Sequence, residues 1–293
     1  MLYKNLSGYF RDTYGQRLKK ICIDGGFTCP NRDGKCGTGG CIFCGERGAG
    51  EHIDPSLKIR EQVKAALAGA KESDLFVAYF QNFTNTYAPL EVLRKRYGEA
   101  LTDDRIRVLS VGTRPDCIDE ETADLLESYI TDKREVWVEL GLQTSSDKTA
   151  KAINRGYESD TFTRAMNILH GRGIKTVVHL IAGLPGENIE DFKESVRFTL
   201  RHRPFGIKLH SIYVMEGTRL AELYNKKLYT PPTLEEYIEW AAEALSIISD
   251  SAVIHRVTGD CPEGMLIAPK DVMTKMALIE RIQKRHEEIV RKV

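Results

Sequence analysis

The sequence predicts an α/β protein built on six β/α units closed into a barrel or partial barrel, and three observations carry that prediction. Apolar runs of strand length alternate six times with segments of helical periodicity. The runs are apolar on both faces of the would-be strand, as strands covered on both sides are. The stretches rich in glycine, cysteine and asparagine all fall just after a strand, on the rim where barrels of this kind carry their working residues.

In chain order, residues 1–20 mix aromatics with Lys4, Arg11, Arg17, Lys19 and Lys20, the pattern of an edge segment capping a barrel or of a basic arm. Lys20–Asp24 is the first strand, and Gly25-Gly26 ends it. Cys22 inside it reads as a core thiol. Ser56–Ala70 is helical and Leu75–Phe80 a continuous apolar strand. The alternation continues with helix 90–101, strand 106–111, helix 120–130 and strand 136–140. Helix 161–172, strand 176–181, helix 189–202 and strand 207–214 complete the six units. Beyond Gly217 the pattern weakens to helix 233–248, opened by the capping sequence Thr-Leu-Glu-Glu, a short strand 253–257 and a terminal helix 272–293. No flexible linker separates this part. The expected organisation is therefore a core barrel with its N-terminal arm over 1–217 and a C-terminal extension, 218–293, packed on it.

A chain of 293 residues has ample core for this, and its 42 basic and 42 acidic residues cancel. Net charge thus argues for no nucleic-acid, membrane or acidic partner, and any basic surface must be local. The first residues lack the apolar core of a signal peptide, and no apolar run approaches membrane-spanning length, so a cytoplasmic protein is expected. Seven cysteines, an odd number gathered at one end, suit ligands in a reducing compartment better than a disulfide framework.

Four of them lie in one loop after the first strand: Cys29, Cys36, Cys41 and Cys44. Gly39-Gly40 allows a tight turn into the Cys41-x-x-Cys44 pair, and Cys29 can supply a third thiolate. Three cysteines on an iron–sulfur cluster would leave one iron open to a chelating substrate. Four cysteines could equally close a structural zinc site.

Set beside the rim motifs, this loop resembles that of the radical S-adenosylmethionine (SAM) superfamily. Within it, the sequence is most similar to the group that includes the Elongator catalytic subunit and oxygen-independent coproporphyrinogen dehydrogenase, and to the small stand-alone bacterial members. The motifs that carry the resemblance are Thr113-Arg-Pro-Asp-Cys117, Glu139-Leu-Gly-Leu-Gln143, Asn154-Arg-Gly156, His179-Leu-Ile-Ala-Gly-Leu-Pro-Gly186 and Glu216-Gly-Thr218. Arg256-Val-Thr-Gly-Asp260 and Leu266-Ile-Ala-Pro-Lys270 add to them near the C-terminus. Eleven residues separate Cys29 from Cys41, where three is the commoner spacing of the superfamily, and this leaves Cys36 without an assigned role.

The resemblance implies a partial TIM-like barrel of the radical SAM type, in which Cys29, Cys41 and Cys44 hold a [4Fe–4S] cluster whose fourth iron is chelated by SAM. Reductive cleavage of SAM then gives a 5′-deoxyadenosyl radical that abstracts hydrogen from substrate. It implies Phe43, Leu184 and Met215 near the adenine, and Gln81, Asn82, Thr84 and Asn85 where relatives bind the SAM amino group, although the usual Gly-Gly-Glu is absent. Thr113 falls beside the ribose or methionine, and Gln143 and Arg155 match positions that hold the ribose and the SAM carboxylate. His179 and His210 read as hydrogen-bonded core histidines. The implied substrate is tRNA, at a wobble uridine, with a low-potential electron donor of flavodoxin or ferredoxin type and no membrane. A phosphate track would draw on residues 1–20, Arg201–Lys208 and 284–292. Two alternatives stand beside it: a radical SAM enzyme acting on a small molecule such as a tetrapyrrole, and a non-catalytic, zinc-stapled nucleic-acid-binding protein.

Overall fold

The strands predicted from apolar runs pair in chain order and in parallel. In the computed structural model, which describes residues 2–48, 53–54, 56–261, 264–271 and 273–292, helix α1 (Leu6–Tyr14) precedes β1 (Leu18–Ile23). There follow α2 (Ile59–Leu67), β2 (Leu75–Phe80), α3 (Leu90–Ala100), β3 (Ile106–Thr113), α4 (Glu120–Glu127) and β4 (Glu135–Gln143). Then come α5 (Asp147–Ala152), α6 (Ser159–His170), β5 (Lys175–Ala182), α7 (Ile189–Arg201) and β6 (Gly206–Ser211). The C-terminal part holds β7 (Val214–Met215), α8 (Arg219–Asn225), α9 (Leu234–Ile248), β8 (Val253–Arg256), β9 (Leu266–Ala268) and α10 (Lys275–Val290).

The sheet order is β1-β2-β3-β4-β5-β6-β8, so seven strands, one more than the six predicted, curl into the partial barrel. The additional strand is the short 253–256 run expected in the extension, which pairs in parallel with β6. The predicted strand 207–214 is broken instead: β6 stops at Ser211, and Val214–Met215 pairs antiparallel with β9 in a separate ribbon. Helix α2 is shorter than predicted, and α5 and α8 were not foreseen. The predicted limits Val272 and Val293 of the last helix lie outside the described residues.

Alternation along each strand sorts the two faces. Ile21, Ile23, Ala78, Phe80, Leu109, Val111, Val138, Leu140, Val178, Leu180, Ile207 and Leu209 point outward into the helical layer, where they meet Leu93, Tyr97, Phe162, Met166, Phe192 and Leu245. The intervening residues line the barrel interior. Its lower end is closed by α1: Phe10 stacks on Trp137 with ring centroids 5.8 Å apart, over Leu18, Val77 and Val108. Tyr9 and Trp137 donate to Glu135, which also pairs with Lys175 at 2.9 Å. Of the two readings of residues 1–20, the barrel cap is the one observed. The upper end is left for the loops that follow the strands.

Candidate active site

The cysteine loop owes its shape to side chains that bind its backbone. Asn31 donates to the carbonyl of Asn154 at 2.6 Å, and Asn154 returns bonds to the carbonyls of Thr38 and Gly40 at 3.2 and 2.7 Å. Ile42 N–H bonds to the Ile153 carbonyl. Asn154 sits at φ 55°, a left-handed conformation that asparagine tolerates better than most residues. Two glycines crowd Asn31: a Cβ on Gly37 would stand 2.1 Å from its Oδ1, and one on Gly156 3.1 Å. Arg32 closes the far end of the loop on the carbonyls of Gly45 and Glu46. The Asn154-Arg-Gly156 motif therefore acts first as the clamp of the cysteine loop.

Within this frame Cys41 is partly buried, and loss of solvent around its sulfur pushes the thiol up to about 12 with Cys44 and Cys29 adding to the rise. Such a thiol ionises at neutral pH only where a metal takes the charge. Cys44 N–H bonds to the Cys41 carbonyl in a tight turn. Among the described residues no three His, Cys, Asp or Glu side chains stand close enough to share one metal ion. Three cysteine thiolates offered by one loop are a donor set that an iron–sulfur cluster takes. Cys36 is exposed, and its sulfur lies 3.8 Å from Arg114 and 3.9 Å from Asp116.

The rim after β2 holds three buried oxygens without a partner: Asn82 Oδ1, Thr84 Oγ1 and Asn85 Oδ1. Asn31 Oδ1, beside Cys41, is a fourth. Buried acceptors left unmet are costly, and a ligand bearing a protonated amine and hydroxyls is what would satisfy them. The donor ends of two of these amides are spent internally. Asn82 bonds to Asp24 at 2.7 Å, and Asn85 ties the Phe80 and Gly112 carbonyls together, joining β2 to β3. Gln81 N–H bonds to the Ile23 carbonyl. Thr113 shares a 2.6 Å bond with Thr86.

After β4, Gln143 sits on a bulge at φ 62°, its amide nitrogen folded back over Gly141. Arg155 is fully buried, and its donors go to the carbonyls of Leu142, Thr144 and Tyr157 and to Asp147. Geometry makes it a strut of the loop after β4, with four of its five N–H donors engaged there. Tyr157 lies between Arg155 and Arg114, 4.3 and 5.0 Å from its ring centre, and bonds to the Gly141 carbonyl. Leu184 and Ile42 are buried together with Ile212 and Val214, and Phe43 packs against this cluster at its edge. Met215 belongs to the β7–β9 ribbon on the same side.

Below the rim the interior is polar, which the apolar appearance of the strands did not foretell. Glu139 is buried and accepts from Ser110 at 2.8 Å, from His179 at 2.7 Å and from Lys208. Burial alone would raise this carboxyl, but Lys208 and the bonded His179 outweigh it and hold it well below the usual range. His179 and His210 face each other at 5.1 Å, and Arg256 donates to His210 Nδ1 at 2.5 Å. Burial and the Arg256 charge press His210 well down, so it is neutral. Both histidines are hydrogen-bonded as the sequence suggested. Charged residues inside apolar strands, Glu139, Lys208 and Arg256, were the available signal for this cluster. The expected basic track is thinner than the sequence implied: Lys208 is inside the barrel, Lys19 pairs with Asp74, and Arg285 pairs with Glu239.

The fold and this rim define an enzyme class. Residues 32–199 match the radical SAM superfamily and residues 204–288 the radical SAM C-terminal domain. The chain belongs to the radical SAM superfamily and is an enzyme of that type, whose cofactors are a [4Fe–4S] cluster and SAM. It is 34% identical over 289 residues to YtqA, an uncharacterized protein of Bacillus subtilis, covering 97% of this chain and 89% of that one. A tRNA uridine(34) acetyltransferase of Methanocaldococcus jannaschii is 29% identical over 169 residues, 56% of this chain and 30% of its own. The solved structure of Elp3 from Methanocaldococcus infernus superposes with a TM-score of 0.70 at 21% identity, over 92% of this chain and 63% of that one, a likeness of fold. Membership of this superfamily removes the zinc-stapled binding protein from consideration. Among the described residues no helix is long and apolar enough to cross a membrane.

Proposed function

We propose that the chain modifies tRNA at a wobble uridine by radical SAM chemistry in the cytoplasm, with Cys29, Cys41 and Cys44 as the cluster ligands. The observation that carries the substrate is the alignment of more than half the chain with a protein named for action on tRNA uridine 34. When bound, the cluster and SAM supply a carbon-centred radical, drawing on a low-potential flavodoxin or ferredoxin.

The chain's own residues shape and shield that site. Asn31 and Asn154 hold the cysteine loop in place, and the unmet oxygens of Asn82, Thr84 and Asn85 would receive the SAM amino group. Phe43, Leu184 and Met215 would flank the adenine and keep water from it, while Thr113 and Gln143 would lie on the side of the ribose. Arg155 braces the loop after β4, and its remaining Nη2 N–H is the donor that would meet the SAM carboxylate. No observation here favours a tetrapyrrole over tRNA.

Binding of unfractionated tRNA to the reconstituted enzyme, measured across a salt series, tests the substrate. Affinity that falls steeply with salt is expected, as for any protein that displaces counterions from phosphates. Absence of binding at low salt, or affinity indifferent to ionic strength, would overturn it.

A further inference from the structure

Of the two cationic side chains beside Glu139 on the inner face of the barrel, Lys208 pairs with it and Arg256 does not. Glu139 is the one carboxylate among the residues named there, and it is already saturated by Ser110, His179 and Lys208. Lys208 and Lys20 both lie over the ring of Tyr79, 4.5 and 5.1 Å from its centre. Arg256 has no ion pair with any described carboxylate; one amino group rests on the His210 ring, and its buried Nε has no partner. The residue is partly buried, but its Nε is fully so, and a buried guanidinium nitrogen normally has a partner. His210 cannot supply the missing charge, since it is neutral and offers Arg256 only a lone pair.

The site is also reachable. His179, His210 and Arg256 are only partly buried, although they stand on the inner face of the sheet. Gly259, in the loop after β8, lies against the pair: a Cβ there would stand 3.6 Å from His210 Nδ1 and 3.8 Å from Arg256. A Cβ would fit there in ordinary contact, so it takes a bulkier side chain to cover the guanidinium.

We propose that Arg256, with His210 and Lys208 beside it, is the subsite for an oxyanion of the substrate, either a carboxylate substituent or a phosphate group carried into the barrel beneath the SAM site. Arginine suits both, because its fork meets two oxygens of one anion at once. The oxyanion gives Arg256 the counter-charge it lacks and fixes the substrate in one orientation below the radical. The role rests on the radical SAM reading only for which molecule carries the anion; the binding itself does not.

The test is a titration of the reconstituted holoenzyme with sodium acetate and, separately, inorganic phosphate, at constant ionic strength set by chloride. The histidine ring resonances are followed by NMR, and iron content and SAM cleavage are measured on the same samples. Saturable shifts of His210 with one of the two anions are expected, and which anion acts identifies the source. Arg256→Ala should weaken that binding at least tenfold. Gly259→Val, which keeps every charge but fills the approach, should weaken it likewise, so the test survives if Arg256→Ala fails to fold. Protection of Arg256 from phenylglyoxal by the same anion, read by mass spectrometry, is expected in the wild type. No His210 response to either anion, or an unchanged response in both variants, overturns the proposal even if SAM is cleaved normally. Loss of iron or of SAM cleavage with anion binding intact would count instead against the reading of the cofactor site.

Discussion

Asn154→Ala separates loop architecture from cluster ligation, because Asn154 touches the cysteine loop only through backbone carbonyls. The substitution removes the bonds to Gly40 at 2.7 Å and Thr38 at 3.2 Å. Each carbonyl left dry costs about 1–3 kcal/mol, less where water can reach it, as at the more exposed Thr38 contact. Alanine at φ 55° adds about 1–2 kcal/mol of backbone strain. A total of about 3 kcal/mol falls on the loop, a factor of roughly 10² in its ordered population. The barrel, which keeps its sheet and helical layer, should lose far less. The assay is iron and sulfide content after anaerobic reconstitution, beside the thermal unfolding midpoint. Sharply reduced loading at a nearly unchanged midpoint is expected. Asn154→Gly, free of the backbone strain, should recover part of the loading. Full loading in Asn154→Ala would show that the clamp is not what shapes the loop.

Three further outcomes follow from the same structure. Cys29→Ala, Cys41→Ala and Cys44→Ala should each abolish cluster binding, seen as loss of iron and of the visible cluster absorbance, whereas Cys36→Ala should retain both; equal loss in Cys36→Ala would add it to the ligand set. Trp137→Ala removes the platform on which Phe10 stacks and should cost about 3–5 kcal/mol in urea unfolding, with α1 exposed to protease first. Burial lowers His179 to about 4 although its bond to Glu139 pulls the other way, so the folded state resists its protonation. That stability is complete above pH 6.5 and is lost as pH falls towards 4, about 3 kcal/mol in all. His179→Gln should flatten this part of the pH profile of denaturant unfolding; an unchanged profile would refute the assignment.

The strands were legible because their outward faces are apolar runs such as Leu75–Phe80, and five of the six βα units lie where periodicity put them. Strand 207–214 misled because Tyr213 and Val214 continue the apolar pattern past the point where the chain leaves the sheet. The seventh strand was too short, at Val253–Arg256, for sequence alone to decide which sheet it would join. At the site, cysteine spacing marked the loop, and family motifs marked the rim. What sequence could not supply was direction. Arg155 and Asn154 share one motif, yet their side chains serve backbone carbonyls, and only the fold reveals which donors are spent. Glu139, Lys208 and Arg256 lie far apart in sequence, so their meeting inside the barrel depends on sheet register.

The central claim is tested most directly by anaerobic incubation of the reconstituted enzyme with SAM and a strong reductant, with and without total tRNA, followed by assay of 5′-deoxyadenosine and metal content. Iron, sulfide and deoxyadenosine whose yield rises with tRNA are the expected result. A protein loaded with iron that forms deoxyadenosine at the same rate without tRNA would contradict the substrate, and one that cleaves no SAM at all would contradict the assignment of the site.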